Sequence, residues 1–251
     1  MIKSHFKGQN MKNIILLAFL FSLTNAAQIV VEASAMNAYN KKEYQKAINI
    51  WRVDCDSGKG AACNNLGVLN ERGEGVAQEY GRAAKFYEKA CNARYGLGCN
   101  NLGLLYENGK GINQDYTRAL SFYQKACDNG IAQGCYYAGM LNERGDGTAK
   151  NVLKALKLYK MGCDGGYMAS CHNMGMLYEL GQGVKQDYTK ALELFKKACD
   201  RAYGPACASL GELYIDGRGA QADIKLARRY LSRACELGGR DACKRRKEIK
   251  K

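Results

Sequence analysis

Cysteine is the residue type in this chain whose number and spacing could support chemistry. Thiols form disulfides, ligate zinc or carry out redox reactions, and the 251 residues include 12 of them. The cysteines occur in pairs whose members are 8 positions apart, and each pair recurs after 36 residues. The pairs are Cys55 and Cys63, Cys91 and Cys99, Cys127 and Cys135, Cys163 and Cys171, Cys199 and Cys207, and Cys235 and Cys243. Six pairs without one slip in register identify an internal repeat.

Three kinds of cysteine site are possible at this point. Zinc sites usually contain two cysteines separated by two to four residues, with a second pair nearby, and a reactive dithiol is normally Cys-x-x-Cys. Neither spacing occurs in this chain. A disulfide framework needs an oxidising compartment instead. The spacing therefore favours disulfides and predicts neither a metal ion nor a cofactor.

A segment that would direct the chain to such a compartment stands at its start. Residues 1–26 combine a basic beginning with the apolar run Ile14–Leu23 and the small or neutral residues Thr24-Asn25-Ala26, which is the pattern of a cleavable signal peptide. Met11 is an alternative start, because the residues that follow it form a complete signal by themselves. The apolar run is 10 residues long, too short to cross a hydrocarbon core of about 30 Å. We expect an exported protein, secreted or periplasmic, without a transmembrane segment.

Two helices are predicted in each 36-residue unit. In the first complete unit, apolar and small residues follow helical spacing from 61 to 72 and again from 80 to 91. Gly73 predicts a left-handed end for the first helix, and Gly75 allows a further turn of the chain. Gly67 and Ala83 lack bulk, which predicts close packing of the two helices of a unit.

Helix pairs of this kind bury their apolar surface by stacking on one another, so the repeat predicts an all-α solenoid. We divide the chain into a signal peptide (1–26), a degenerate leading hairpin (27–60), five repeats (61–240) and a closing half-repeat with a basic tail (241–251). The leading hairpin lacks the Gly-x-Gly loop of the other units. The basic residues at the end suit a polar cap, which solenoids need for solubility.

The repeat resembles a known family. Its second unit contains Leu102-Gly103-x-Leu105-Tyr106-x-x-Gly109-x-Gly111, then Asp115-Tyr116-x-x-Ala119, then Phe122-Tyr123-x-Lys125-Ala126-Cys127. This pattern resembles the Sel1-like repeat, a relative of the tetratricopeptide repeat. With a cysteine pair in every unit and a signal peptide, the chain is similar to the Helicobacter cysteine-rich proteins over about residues 55–243. The resemblance implies a right-handed α/α superhelix that binds proteins or peptides on its concave face, and that family also includes proteins described as penicillin-binding or as β-lactamases.

The predicted helices also indicate how the cysteines pair. The first cysteine of each pair lies in the last turn of a second helix, and the other lies near the start of the next first helix. The turn between them can bring the two Cα atoms within the roughly 4.4–6.8 Å that a disulfide tolerates. We therefore predict that each cysteine bonds to the other member of its pair. Such short loops stabilise least, on the order of 2.5 kcal/mol each, so the disulfides are predicted to join neighbouring units rather than to form an active site.

Catalytic motifs that would support β-lactam hydrolysis are missing from the predicted mature chain. Serine β-lactamases use Ser-x-x-Lys with Ser-Asp-Asn and Lys-Thr-Gly, but the one Ser-x-x-Lys here is Ser4-His5-Phe6-Lys7, inside the signal peptide. A metal-dependent enzyme would need a histidine cluster, and the mature chain keeps only His172. Penicillin binding with weak β-lactam hydrolysis is thus the alternative function, carried by the resemblance alone, and no catalytic residue is predicted.

A binding face is predicted on the first helices. At about 100° per residue, three positions of each first helix point away from the core formed within the unit. Read along the repeats they form an amide-rich column, an apolar column and an acidic column, which together predict a peptide groove. The columns are Asn64, Asn100, Tyr136, His172 and Ala208; Val68, Leu104, Met140, Met176 and Glu212; and Glu71, Glu107, Glu143, Glu179 and Ile215. The alternative to a peptide groove is that the glutamates are solvated and that neighbouring helices partly cover the apolar column.

Charge gives a weaker indication of partners. The net charge is +14, part of which lies in the signal peptide and the tail, and the second helices carry most of the remaining lysines. We expect a basic convex face and a monomer that binds proteins or peptides of a host or a cell envelope. β-Lactams or peptidoglycan fragments are alternative ligands, and nucleic acid is not expected for an exported chain.

Overall fold

The computed structural model describes residues 33–249, and within that range every regular element is an α-helix. The described helices are α1 (33–40), α2 (Tyr44–Asp56), α3 (Gly60–Arg72), α4 (Tyr80–Asn92), α5 (Gly96–Asn108), α6 (Tyr116–Asp128), α7 (Ala132–Arg144), α8 (Val152–Asp164), α9 (Met168–Leu180), α10 (Tyr188–Asp200), α11 (Gly204–Asp216), α12 (Ile224–Glu236) and α13 (Arg240–Glu248). The predicted all-α fold of repeated helix hairpins is confirmed. The predicted signal peptide at 1–26 lies outside the described residues.

Five hairpins of equal size form the body of the solenoid. Each consists of a 13-residue first helix and a 13-residue second helix, from α3/α4 to α11/α12. Helices α1 and α2 form the leading hairpin, and α13 is a closing half-unit. Each first helix of the five hairpins ends at a glycine with positive φ, such as Gly73 at 72° and Gly145 at 86°, as predicted from the Gly-x-Gly loops.

Close contact between a glycine and a ring joins the two helices of a unit. A Cβ atom at Gly103 of α5 would lie 2.7 Å from the ring of Tyr123 on α6. Tyr87, Tyr123, Tyr159 and Phe195 occupy the same position in successive units and are fully buried. The glycine inside each first helix, which costs about 1 kcal/mol relative to alanine, therefore makes room for the largest buried side chain of its unit.

The six predicted disulfides are all present and lie at the seams between units. Their Cα–Cα distances range from 4.6 to 4.8 Å, and each joins the end of a second helix to the start of the next first helix. The bonds connect Cys55 with Cys63, Cys91 with Cys99, Cys127 with Cys135, Cys163 with Cys171, Cys199 with Cys207, and Cys235 with Cys243. All 12 cysteines are therefore bonded as predicted, and none of them is left as a free thiol.

The second cysteine of each pair belongs to the interior of its seam. Exposure is 3% or less for five of these residues, namely Cys63, Cys99, Cys135, Cys171 and Cys207. Cys243, in the closing half-unit, is half-buried. These sulfur atoms are thus withdrawn from solvent over most of the solenoid, at the places where neighbouring units join.

Small residues at the same seams allow the helices to approach. A Cβ at Gly98 would collide with Ala90, one position before the disulfide cysteines Cys99 and Cys91. At the seam between the third and fourth units the glycine lies on the second helix instead, where Gly162 of α8 faces Ser170 of α9. With Gly134 against Ala126, three of the disulfides are accompanied by a close contact between two small residues.

The glycine contact predicts opposite effects for two Gly→Ala substitutions. Gly103→Ala should lower the free energy of unfolding by about 1–3 kcal/mol, because the added methyl group overlaps the Tyr123 ring. Gly81→Ala is the matched control in α4, where the nearest atom to an added Cβ is 3.5 Å away. It should raise the free energy by about 0.5–1 kcal/mol through helix propensity. Urea unfolding of both oxidised variants measures the difference, and equal effects would contradict this packing.

Candidate binding face on the first helices

One narrow stripe of each first helix remains open to solvent. The rest of the helix packs against its own second helix, the preceding second helix and, as α3 does with α5, a neighbouring first helix. The stripe residues, half-buried or exposed apart from the buried Ala169, are Ala61, Asn65, Val68 and Arg72; Leu97, Asn101, Leu104 and Asn108; Gln133, Tyr137, Met140 and Arg144; Ala169, Asn173, Met176 and Leu180; and Pro205, Ser209, Glu212 and Asp216. We call these residues the first-helix face.

The centre of the first-helix face is almost uncharged. Through the second, third and fourth units its side chains are apolar or carry amide or phenol groups, and Arg144 is the one charged residue. Charges are concentrated at the ends, with Arg72 in the first unit and Glu212 and Asp216 in the fifth. The arrangement combines apolar contact surface with hydrogen-bonding groups, as peptide-binding surfaces do.

The amide-rich column predicted from the sequence lies one residue away from this face. Asn64 and Asn100 are only 6% and 2% exposed. They occupy the seam between adjacent first helices, where the Asn101 Nδ2 donates to Asn64 Oδ1 at 2.9 Å. His172 lies at the same seam, with its Nε2 3.1 Å from Ser209 Oγ. The prediction placed these side chains on the wrong side of the helix, because it considered the core of one unit and not the neighbouring first helix.

The amide column of the first-helix face is instead formed by Asn65, Asn101 and Asn173. Sequence reasoning missed these residues, although they recur at the same 36-residue step as the cysteines. Val68, Leu104, Met140 and Met176 of the predicted apolar column are half-buried members of the face, and their part in binding stays a prediction.

The predicted acidic column closes the helix hairpins and does not line a groove. The hydroxyl groups of the buried tyrosines donate to these glutamates, at 2.5 Å for Tyr87–Glu71, Tyr123–Glu107 and Tyr159–Glu143. Burial, followed by the hydrogen bond to the carboxylate, raises the pKa of each of these tyrosines. The glutamates are therefore engaged inside the hairpin, and the expectation that they select basic residues in a groove is not supported.

The fourth unit uses another partner for its glutamate. Phe195 stands where the other units have tyrosine and offers no hydroxyl, and Glu179 accepts instead from Arg218 Nη1 at 2.7 Å. In the fifth unit both positions are apolar, with Ile215 and Leu231.

Aromatic side chains gather along one edge of the first-helix face. The Tyr136 ring centroid lies 5.3 Å from that of Tyr137 and 5.0 Å from that of Tyr167. In the next unit, the His172 ring lies 5.6 Å from Tyr203. Burial lowers the pKa of His172, which favours its neutral form. Tyr136 and His172 were predicted as binding residues, whereas Tyr137, Tyr167 and Tyr203 were missed.

The described part of the chain contains neither a cluster of metal ligands nor a membrane-spanning helix. Between residues 33 and 249 no three His, Cys, Asp or Glu side chains lie close enough to hold a metal ion. Over that same part of the chain, no helix combines the length and apolar character required to span a bilayer.

On the second helices, lysines form ion pairs across units, such as Lys89 with Asp56 at 3.3 Å.

The repeat also identifies the family of the chain. Five consecutive segments match the family model of the Sel1 repeat, at residues 60–95, 96–131, 132–167, 169–203 and 204–239. The chain belongs to the Sel1 repeat family. In this Sel1 repeat protein the five matched segments coincide with the hairpins α3/α4 to α11/α12.

Several solved structures are similar to this chain, and two of them match its fold over most of its length. A Sel1 repeat protein from Oxalobacter formigenes is 27% identical, with a TM-score of 0.78, over 84% of this chain and 84% of that chain. A protective antigen with an SLR fold from uropathogenic Escherichia coli is 26% identical with a TM-score of 0.75, and the match covers 78% of this chain but 42% of that longer chain. Cysteine rich protein B of Helicobacter pylori is 28% identical over 54% of this chain and 98% of that chain, with a TM-score of 0.44. A search of curated protein sequences found no significant match.

The buried tyrosines predict sensitivity to alkaline pH. Because their folded pKa lies above the ordinary value of about 10, their contribution to stability is complete below pH 10 and is lost as the pH rises further. Above pH 10, the free energy of unfolding of Tyr159→Phe should therefore fall by about 1.4 kcal/mol less per pH unit than that of the wild type. Urea unfolding at pH 9, 10 and 11 measures this slope. Tyr116→Phe, at an exposed position, is the control and should follow the wild type; identical slopes for all three proteins would contradict the assignment.

Proposed function

We propose that the protein is an exported scaffold that binds an extended segment of a partner protein along the first-helix face. The Sel1 repeat solenoid is a fold typical of protein–protein interaction. The observation that carries the proposal is the stripe of mainly apolar and amide side chains across the second to fourth units, in which Arg144 is the one charged group. Such a stripe matches what an extended peptide offers, namely apolar side chains and a regular series of backbone hydrogen-bonding groups.

Apolar and amide groups have separate tasks in this proposal. Leu104, Met140 and Met176 are half-buried, so that a bound segment would remove their remaining apolar surface from water. Asn101 and Asn173 use their Nδ2 groups within the protein, on Asn64 at 2.9 Å and on Tyr159 at 3.2 Å. The amide oxygen of Asn101 is left to accept a hydrogen bond from a backbone N–H group of the segment.

The charge of the face indicates the composition of the bound segment. Burying a charged side chain against an uncharged surface is costly unless it is paired. The centre of the face offers Arg144 alone as a charged group. We therefore infer a segment with uncharged side chains over the central units, and not the basic segment that an acidic groove would select.

A pair of methionine substitutions tests the face. A partner is first isolated from cell-envelope or host-cell extract with oxidised mature protein, and its affinity is then measured for two variants. Met140→Glu should weaken binding by at least about tenfold, because it removes an apolar contact and introduces an unpaired charge. Met161→Glu is the matched control, since Met161 is 47% exposed on α8, a second helix. Equal affinities for Met140→Glu and wild type would contradict binding on this face.

Export is the second element of the proposal. Six disulfides are typical of proteins in oxidising compartments, and residues 1–26 have the pattern of a signal peptide. Mass spectrometry of the protein from bacterial periplasm or medium should find a chain that begins at Ala27 and is lighter than its reduced form by 12 hydrogen atoms, two for each of the six disulfides.

A substitution at the cleavage site supplies the control for export. Ala26→Arg replaces the small residue before the cut, so this variant should keep its signal peptide. An uncut wild-type chain with free thiols in the cytoplasm would contradict export.

β-Lactam binding or hydrolysis has only the family resemblance in its favour. No contact on the first-helix face supports it, and it forms no part of the proposal. Hydrolysis of a chromogenic cephalosporin by purified oxidised protein would reopen that alternative.

A further inference from the structure

We propose that an aromatic surface along one edge of the first-helix face binds a proline-rich stretch of the bound segment. The inference rests on the proposed function and names the class of segment that the face takes. The surface lies in the third to fifth units and consists of half-buried rings, and we call it the aromatic edge. Its residues are Tyr136, Tyr137, Tyr167, His172 and Tyr203.

Two rings of the aromatic edge lean against a third. The Tyr136 ring is inclined by 61° to that of Tyr137 and by 53° to that of Tyr167, with centroids 5.3 Å and 5.0 Å apart. The fully buried Tyr123 stacks on Tyr137 at a centroid distance of 4.9 Å. Rings inclined in this way leave creases between them instead of one flat platform. Because tyrosine rings have few rotatable bonds and these rings hold one another, they lose little entropy when a ligand binds.

The aromatic edge is continuous with the apolar column of the first-helix face. Tyr136 and Met140 pack against the same buried cluster, which contains Tyr159. Tyr137 is itself a member of the face. In the first two units asparagine holds the positions of both Tyr136 and Tyr137. A segment that lies along the face would therefore meet the aromatic edge from the third unit onward.

Hydroxyl groups of the aromatic edge have hydrogen-bond donors that the protein does not use. Between residues 33 and 249, no group accepts a hydrogen bond from the hydroxyl of Tyr136 or Tyr203. Burial raises the pKa of both tyrosines, so each remains a protonated donor at neutral pH. The aromatic edge therefore suits a ligand that is rich in hydrogen-bond acceptors.

Proline-rich segments have the matching chemistry. A proline residue carries a backbone carbonyl but no N–H. The polyproline II helix that such segments form has no internal hydrogen bonds, so its carbonyls are free to accept. Aromatic-lined grooves are a recurrent way of binding these segments. Charge agrees as well, because proline is uncharged and burial favours the neutral form of His172.

Saccharides are the other class of ligand that tyrosine-rich surfaces bind. A sugar ring lies flat on one exposed aromatic face, and its hydroxyl groups need acceptors as well as donors. The inclined rings and the unused donors of the aromatic edge favour the proline-rich segment instead. A saccharide is tested beside it below.

Peptide selection tests the aromatic edge without knowledge of the natural partner. A displayed library of random twelve-residue peptides is selected on oxidised mature protein, and fluorescence anisotropy with labelled peptides measures the affinities. Selected peptides should contain several prolines. Replacing these prolines by alanine should weaken binding at least about tenfold, because ring contacts and the preformed extended helix are both lost.

The deciding variant is Tyr167→Ile. It removes one ring of the aromatic edge, and it is compatible with the fold because Ile131 holds the equivalent N-cap position of α7. The affinity for the proline-containing peptides should fall at least about tenfold. Tyr95→Ile is the matched control, since it makes the same substitution at the N-cap of α5, outside the aromatic edge. Its affinity should stay within about twofold of the wild type.

A second variant keeps the test decisive if Tyr167→Ile fails to fold. Tyr137→Asn places asparagine where three other units have it, at Asn65, Asn101 and Asn173. It should also weaken peptide binding at least about tenfold. Circular dichroism of each variant checks that the helices are retained.

The outcomes separate the aromatic edge from the proposed function. If both tyrosine variants bind the peptides as the wild type does while Met140→Glu does not, the aromatic edge is wrong and the first-helix face remains. Selected peptides without proline would likewise overturn the aromatic edge. If Met140→Glu also binds like the wild type, or if the wild type selects no peptide, both proposals fail. Binding of chitotriose that Tyr167→Ile abolishes would assign the rings to saccharides and overturn the proline-rich ligand.

Discussion

The contact between one glycine and one aromatic ring in each hairpin is the constraint on which most of this structure depends. Where Gly139 lets Tyr159 lie flat against the first helix, the ring is fully buried and its hydroxyl needs a partner away from water. Glu143 supplies that partner. When Phe195 replaces tyrosine, the hydroxyl disappears and the equivalent glutamate turns to Arg218. The glutamate column, which resembles a functional feature in the sequence, is thus a consequence of how the hairpins pack.

The disulfides complete this packing at the seams between units. Each closes a loop of only 8 positions in the sequence, and closing so short a loop removes little entropy from the unfolded chain. A solenoid is held by contacts between nearest neighbours, so it opens where one such interface weakens. A covalent bond at every seam acts against that local opening. The cysteines therefore maintain the continuity of the first-helix face, although none of them forms part of it.

The hairpin core and the seams use most of each first helix, and the stripe that remains differs from unit to unit. Its composition changes along the solenoid, from an uncharged centre around Met140 to a charged end around Glu212. The core position changes as well, since Leu231 takes the place of the aromatic ring in the fifth unit. A regular repeat can thus carry a directional surface, in which position along the chain determines what each unit offers to a partner.

The repeat length, the helix ends at residues such as Gly73 and all six disulfide pairs could be predicted from the amino-acid sequence. These features depend on residues that are close together in the chain. Each of them also recurs in several units, so that the same pattern is seen more than once. The stripe of the first helices that faces solvent could not be predicted in this way, because it depends on how the helices pack. A first helix touches three other helices, so its exposed side depends on all of them, and a rotation by one residue separates the buried Asn64 from the half-buried Asn65. The role of Glu143 was hidden for the same reason, because its partner Tyr159 belongs to another helix and meets it only after the hairpin has closed.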